Sequence, residues 1–210
     1  MIGLYRQLDT PQPRDLIEAV NSLNDKLGKN NVQILHNLAK PREIVVLAGY
    51  KSLADYESQS EEYVSAGLPE IARDHGVNLV DQGFMVIEAV NDPNNTLRGT
   101  HDYVVLTGGL VKIGAMPNVI AVASRVIEKI GPEQLSQGIS SMVMRAVSGN
   151  NLNKIAYRLG LPSIQAAEEF ITRSPDSRPE VADDLKEWLS NMTAVSRGVF
   201  KVKRKFGHLD

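Results

Sequence analysis

The feature that most constrains this chain is a nine-residue corner that occurs twice. Residues 49–57 read GYKSLADYE and residues 160–168 read GLPSIQAAE, so both copies have Gly-x-x-Ser, an aliphatic residue, and Glu five positions after the Ser. The two copies start 111 residues apart, at Gly49 and at Gly160. Ser52 and Ser163 are suited to cap a helix, because a serine hydroxyl accepts a free backbone N–H of the first turn. The corners predict one folding unit written twice.

The order of predicted elements repeats on either side of a polar middle. Strand-like and helix-like apolar patterns follow each other as β-α-β-β-α-β in each half, which is the ferredoxin-like split unit. We therefore expect an α+β fold with a first unit over residues 1–92, a linker over 93–100 and a second unit over 101–210. We expect the helix over 116–130 to stop at Gly131 and Pro132, and the last helix to break at 174–179. Predicted strands cover 2–8, 32–38, 43–50, 83–90, 102–111, 139–147, 154–159 and 194–203.

A four-stranded sheet with both helices on one face leaves its other face uncovered. That face must be buried against another layer. Two such sheets can pack together with the helices outside, which gives a barrel-like enclosure lined by alternate residues of eight strands. Two units in one chain predict a pseudo-dimeric α+β barrel. The chain would then be a monomer with an internal pseudo-dimer, or a homodimer formed through another surface.

Composition excludes several classes of function. The 23 basic and 25 acidic residues give a net charge of −2, which offers no general reason to expect nucleic-acid or membrane-surface binding. The chain has no cysteine, which excludes disulfides, thiolate metal sites and a cysteine nucleophile. The first residues contain no long apolar core, so we expect no signal peptide and a cytoplasmic protein.

In its element order and in the corners at Gly49 and Gly160, the chain resembles the dimeric α+β barrel superfamily. The resemblance is to its antibiotic-biosynthesis-monooxygenase-like and NIPSNAP-like members. It implies a small-molecule pocket, either between sheet and helices or inside the barrel. Some members oxygenate aromatic polyketides without a cofactor, whereas others bind haem, isomerise lactones or have no known activity. We expect no cofactor, and a small apolar or aromatic ligand as the partner.

Three residues are the candidates for catalysis. His36 lies in a predicted strand and suits abstraction of a proton from an acidic phenol or from a C–H next to a carbonyl. Its alternative is a strand histidine that contacts a neighbour or faces water. Arg145 and Arg158 lie on two strands that should pair through the turn near residue 150. They would hold an anionic or enolate oxygen if they face inward, and would be plain solvent-facing residues if they do not.

A further set of residues is predicted to line the substrate pocket. The tyrosines among them fit an aromatic pocket, and the alternative is a core ring with its hydroxyl at the rim. The four histidines of the chain lack zinc-type spacing, so we expect no metal. His75 and His101 are expected at the surface. The predicted substrate-binding residues are Tyr5, Asn37, Tyr50, Tyr103 and Tyr157.

These patterns favour a small-molecule enzyme that resembles the cofactor-independent monooxygenases. The alternative is a non-catalytic module of the same fold, which binds a small ligand or serves in assembly. The residues on the enclosed faces discriminate between the two, because converging polar side chains around a cavity favour the enzyme and filled aliphatic packing favours assembly.

Overall fold

The strands and helices follow the predicted order closely. A computed structural model describes residues 2–150, 152–173 and 177–207. These residues form eight strands and six helices: β1 (Ile2–Asp9), α1 (Pro13–Lys26), β2 (Val32–Asn37), β3 (Glu43–Tyr50), α2 (Leu53–Ser65), α3 (Leu68–Asp74), β4 (Asn78–Val90), β5 (Tyr103–Val111), α4 (Met116–Ser136), β6 (Ser140–Ala146), β7 (Lys154–Leu161), α5 (Ile164–Thr172), α6 (Pro179–Ser190) and β8 (Met192–Arg204).

All eight strands join in one closed antiparallel barrel, in the order β1-β3-β2-β8-β5-β7-β6-β4. Two long strands of 13 residues each make the closure. β4 pairs first with β1 and then, from Met85 onward, with β6. β8 pairs first with β5 and then, from Phe200 onward, with β2. The predicted α+β barrel is therefore confirmed.

The two corners begin helices as their serines predict. Ser52 Oγ accepts from the Asp55 backbone N–H at 3.1 Å, and Ser163 Oγ accepts from the Ala166 N–H at 3.2 Å. Both serines have extended backbone angles, as N-cap residues do. The first copy adds a return bond, because the Asp55 carboxylate accepts from the Lys51 N–H at 2.8 Å. A cap that satisfies free N–H groups starts each helix directly at the end of a strand.

Helices cover the outer faces of the strands, and this decides which residues line the interior. On β2, Ile34 packs in an outer cluster with Leu16 and Ile17 of α1, whereas Leu35 belongs to the interior cluster. On β6, Val143 packs outward with α4. The interior cluster of buried residues comprises Tyr5, Leu35, Val45, Leu47, Met85, Val104, Met144, Phe200 and Val202.

One predicted helix boundary differs from the structure, and another agrees with it. The structure continues α4 through Gly131 and Pro132 to Ser136, so the predicted stop there is wrong. Burial of Ile127, Ile130 and Gly131 shows that packing of this last part of the helix outweighs the proline. The predicted break at 174–179 falls between the end of α5 and the start of α6, although residues 174–176 lie outside the described residues. Within the described ranges, no helix is long and apolar enough to cross a membrane.

Gly83 is the strand glycine that the interior requires. It lies opposite Tyr5 in the β1–β4 ladder. A Cβ added at Gly83 would overlap the Ser148 carbonyl oxygen and come within 3.1 Å of Tyr5 Cε1. We expect Gly83→Ala to lower the free energy of unfolding by about 1–3 kcal/mol, the usual cost of overpacking. Urea unfolding followed by circular dichroism measures this difference.

Gly108 on β5 provides the matched control for this substitution. A Cβ at Gly108 would lie 3.7 Å from the nearest side-chain atom, Ser196 Oγ, which is an ordinary contact. Gly108→Ala should therefore keep or slightly raise stability, because alanine reduces the entropy of the unfolded chain. Equal losses in the two variants would show that the close approach at Gly83 is not the cause.

Candidate functional site

The barrel interior contains two cavities that lie toward its opposite ends. The small cavity has a volume of about 130 Å³ and lies near the loop from Asp92 to His101 and near Phe206, which follows β8. The large cavity has a volume of about 580 Å³ and lies near the turn between β2 and β3. The same four side chains line both cavities, and they are Tyr5, Leu47, Met85 and Met144. One layer of side chains therefore separates the two spaces.

Arg158 on β7 is a buried cation in the wall of the small cavity. Arg158 as a whole is only 5% exposed to solvent. Nη2 donates to Gln33 Oε1 at 3.0 Å, Nη1 lies 3.5 Å from Ser140 Oγ, and Nε is buried without a partner. None of its contacts among the described residues is a carboxylate. Burial lowers the pKa of Arg158 to about 10, so the guanidinium stays charged at neutral pH.

An unpaired buried charge is costly, and Arg158 has only neutral partners. Taking a charged group out of water costs several kcal/mol, and a counter-ion normally offsets this cost. Gln33 and Ser140 supply oxygen acceptors for the N–H groups of the Arg158 guanidinium but no negative charge. The guanidinium thus retains an unused donor and an unbalanced charge beside an open space. An anionic oxygen in the small cavity would satisfy both.

His101 lies on the wall of the same cavity, and it is buried. The expectation of a surface position is wrong, since the residue is only 4 % exposed and Nε2 has no partner. Desolvation and the nearby charge of Arg158 lower the pKa of His101 to about 4, although the Gly138 backbone and Asp92 act in the opposite direction. The imidazole is therefore neutral at pH 7 and can accept a proton.

Gly160, the first residue of the second corner, makes room for these groups. A Cβ there would come within 2.6 Å of His101 Nδ1 and 2.7 Å of Ser140 Oγ. Such distances are too short for real Cβ contacts. Any larger residue at position 160 would therefore displace the side chains of His101 and Ser140. Gly49, which begins the first corner, lines the small cavity.

The part-buried ammonium of Lys154, which lines the large cavity, already has a carboxylate partner. The Tyr5 hydroxyl donates to Asp81 Oδ2 at 2.6 Å, and Lys154 Nζ donates to the same oxygen at 2.7 Å and to Tyr5 Oη at 3.1 Å. The Lys154 ammonium also lies 4.3 Å from the centre of the Tyr5 ring. Burial raises the pKa of Asp81, but the hydrogen bonds from Lys154 and Tyr5 outweigh it, so that pKa lies below its usual value. Desolvation and the Asp81 hydrogen bond raise the pKa of Tyr5.

Three of the predicted site residues line the interior. Arg158 lies in the small cavity, Asn37 in the large one, and Tyr5 between them. Asn37 Nδ2 donates to Glu43 Oε1 at 2.6 Å. The structure thus brings one predicted arginine, one tyrosine and one amide into the enclosed space.

His36 and Arg145 face outward, and their predicted roles in the pocket do not fit this placement. His36 follows the inward-facing Leu35, and its Nε2 lies 2.7 Å from the Pro41 carbonyl oxygen. Arg145 follows the inward-facing Met144 and forms an ion pair with Glu88 at 2.7 Å. Successive side chains on a strand alternate between faces, so each of the two lies one position from the interior. The two predicted arginines therefore do not converge.

The other three tyrosines also pack on the outer face. Tyr50 contacts Tyr56 edge-on at a centroid distance of 5.3 Å. Tyr103 and Tyr157 pack in the cluster beside α5. None of the three lines either cavity. Their predicted alternative, a ring in a core, describes them better than a pocket role.

Sequence reasoning missed His101, Gln33, Lys154 and Asp81. The Lys-x-Ala-x-Arg-x-Gly pattern of 154–160 places four residues on one strand face. It could have indicated that Lys154 and Arg158 point to the same side of the strand. His101 precedes a strand in a loop, where alternation carries no information on direction.

Several solved structures share this fold. A provisionally assigned monooxygenase from Fusobacterium nucleatum subsp. nucleatum superposes with a TM-score of 0.72 at 10% identity, over 100% of this chain and 96% of that one. An anthrone oxidase-like protein gives 0.65 at 13% identity, over 99% and 94%. A ferredoxin-fold protein of Listeria monocytogenes, related to antibiotic biosynthesis monooxygenases, gives 0.51 at 10% identity, over 100% and 96%.

No protein-family model and no curated protein matches the chain. At 10–13% identity, the likeness to the solved structures shows the fold and leaves the substrate open. The resemblance drawn from the sequence is confirmed at this level. The chain has the ferredoxin-like α+β barrel fold of the monooxygenase-like proteins over nearly its whole length.

Proposed function

We propose that this protein is a cofactor-independent, monooxygenase-like enzyme for an apolar or aromatic substrate with an acidic oxygen, held inside the barrel. The observation that carries this proposal is Arg158, a buried cation without a carboxylate partner beside a cavity. A phenolate or enolate oxygen would supply the missing charge and accept from the free Nε. The apolar walls from Leu47, Met85 and Met142 suit a hydrocarbon body.

In the proposed reaction, His101 and Arg158 share the work on one substrate. His101 takes a proton from a carbon next to an aromatic ring and a carbonyl or hydroxyl group, and Arg158 stabilises the resulting anion. The anion beside the imidazole favours its protonated form and so offsets the low pKa of the free protein. The carbanion gives two electrons to dioxygen and forms a C–O bond, and the proton held by His101 completes a hydroperoxide. The same carbon then loses its second hydrogen as a proton, the O–O bond breaks, and two further electrons form the new carbonyl while the other oxygen leaves as water. The CH2 group supplies all four electrons, so no external reductant is needed.

A single chain can supply the whole site. The barrel closes within one chain, and Arg158 of β7 reaches Gln33 of β2 across the interior. We propose that the protein acts as a monomer built from two units with a linker over residues 93–100. The second candidate function is a non-catalytic ligand-binding module of the same fold, which the same anion site would also support.

The Arg158→Met variant tests whether the arginine serves a ligand. Removing an unpaired buried charge should keep or raise the free energy of unfolding, by up to about 4 kcal/mol, because apolar residues often replace buried ions at a gain. Binding of benzoate, measured by titration calorimetry, should weaken at least about tenfold, the size of a lost charged hydrogen bond. Unchanged benzoate affinity in Arg158→Met would contradict the proposal.

The His101→Gln variant separates the enzyme from the binding module. Benzoate should still bind, whereas dioxygen uptake with acidic phenols or anthrone, followed with an oxygen electrode, should fall about 10²-fold or more. His36→Gln is the matched control, since His36 lies on the outer face and should leave uptake unchanged. If the wild-type protein binds these compounds under nitrogen but consumes no dioxygen with any of them, the binding module is the correct function.

The free energy of unfolding should decrease as the pH is lowered, because His101 is neutral in the folded protein. Its pKa of about 4 lies below that of a free histidine, about 6.5, so the unfolded chain binds the proton first as pH falls. The stability contributed above pH 6.5 is lost progressively down to pH 4, about 2 kcal/mol of it by pH 5. Urea unfolding at pH 7 and pH 5 should show a smaller loss for His101→Gln than for wild type. His36→Gln, which retains His101, should show the wild-type loss, and equal losses in all three proteins would refute the assignment.

A further inference from the structure

The layer that separates the two cavities has one rigid and one adaptable side. Tyr5 is held by Asp81 at 2.6 Å and by Lys154 at 3.1 Å, and it lies opposite Leu47 in the β1–β3 ladder. Met85 and Met144 form the other side, on the adjacent strands β4 and β6. Methionine is unbranched with three rotatable bonds, so it adapts to irregular space at low cost. Of the four separating side chains, the two methionines are the ones that can move aside.

The small cavity alone limits the ligand to about one ring. Its volume of about 130 Å³ resembles that of engineered apolar cavities, about 150 Å³, that bind benzene. The large cavity, at about 580 Å³, falls within the usual range of ligand pockets, about 300–1,000 Å³. Arg158 belongs to the small cavity only. A ligand anchored at Arg158 must therefore pass the methionines to use the larger space.

Charge distribution sets the direction in which such a ligand lies. In the large cavity, Lys154 is paired with Asp81, and the Glu43 carboxylate accepts from Asn37 and Gln7. Arg197, a cation of that lining without a carboxylate partner among the described residues, is exposed to solvent. In the small cavity, the buried Arg158 lacks an anion, because the Asp92 carboxylate accepts from Thr96 and Leu97 instead. The acidic end of a ligand thus belongs in the small cavity. An uncharged ring system fits the large cavity against its apolar wall, which includes Val45, Leu106, Ala156 and Phe200.

The outer end of the large cavity is apolar and exposed. Leu38, Ile164 and Ile171 line it and are 47%, 37% and 42% exposed. Leu38 follows β2, and the two isoleucines lie on α5, so the rim combines a turn with a helix. An apolar rim at the opening favours a ring system that extends toward the surface.

We propose that Met85 and Met144 form a gate that joins the two cavities around a ligand too long for the small cavity alone. Its acidic oxygen lies at Arg158, and its rings pass between the methionines and the Tyr5 ring into the large cavity. Methionine sulfur makes favourable contacts with ring edges. This inference rests on the proposed function and assigns Met85 and Met144 a role at the same site.

A ring series tests the gate on the wild-type protein. The probes are benzoate, 2-naphthoate and anthracene-2-carboxylate, whose carboxylate stands in for the anionic oxygen, with affinities measured by titration calorimetry. We expect affinity to rise at least tenfold from one ring to three, because each ring buries more apolar surface. Affinity that falls from one ring to three would overturn the gate while leaving the anion site intact. Failure of benzoate itself to bind would overturn the proposed function.

The Met85→Ile/Met144→Ile double variant tests which residues form the gate. Isoleucine is stiff at χ1 and keeps nearly the same volume, so it should hold the layer closed. Benzoate affinity is measured in each variant as its own reference, and the gain from one ring to three relative to that reference should disappear. If the double variant does not fold, the milder Met144→Leu variant replaces it. This variant should lose part of the gain in affinity from one ring to three.

Met192→Ile provides the matched control for the gate variants. Met192 is a buried methionine in the outer cluster beneath α4, and it lines neither cavity. This variant should keep the full gain from one ring to three. A gate variant that also keeps the full gain would overturn the assignment of the methionines.

Discussion

Closure of the barrel is the constraint on which the rest of this structure depends. Each sheet has one face covered by helices, and its other face can be buried only against the second sheet. β4 and β8 make this possible because each is long enough to pair within its own sheet and then with the other. The closed ladder leaves no open edge along the seams and turns two uncovered faces into one interior. The position of every functional side chain follows from that closure.

The interior that results is not completely filled. Gly83 and Gly160 lie among the strands around it, and they leave room for side chains from other parts of the chain. Gly83 admits the Tyr5 ring, and Gly160 admits His101 and Ser140. The corner glycines, which first indicate how each helix begins, therefore also shape the small cavity. A chain selected only for packing would fill these spaces with aliphatic side chains.

Element order and capping could be predicted from the sequence because they depend on local chemistry. Ser52 and Ser163 cap their helices through bonds that span three residues, and the apolar periods identified the strands. The direction of a side chain depends on a one-residue phase that local patterns leave undetermined when both faces are buried. The sequence therefore left the direction of His36, Arg145 and Arg158 open, and only Arg158 of the three faces the interior. His101 lies in a loop, and its burial depends on residues far along the chain.

Differences between the two halves explain how an unpaired charge can exist inside the barrel. Arg158 on β7 and Leu47 on β3 lie 111 residues apart, and each pairs with the strand that begins its half of the chain. Lys154 on β7 and Glu43 on β3 are likewise 111 residues apart, and they carry opposite charges. In a barrel built from two identical chains, both positions would carry arginine, and two buried like charges would face each other. A single chain can place one cation opposite an apolar residue. The resulting asymmetry leaves a buried cation without a carboxylate partner at the small cavity, whereas Lys154 at the large cavity is paired with Asp81.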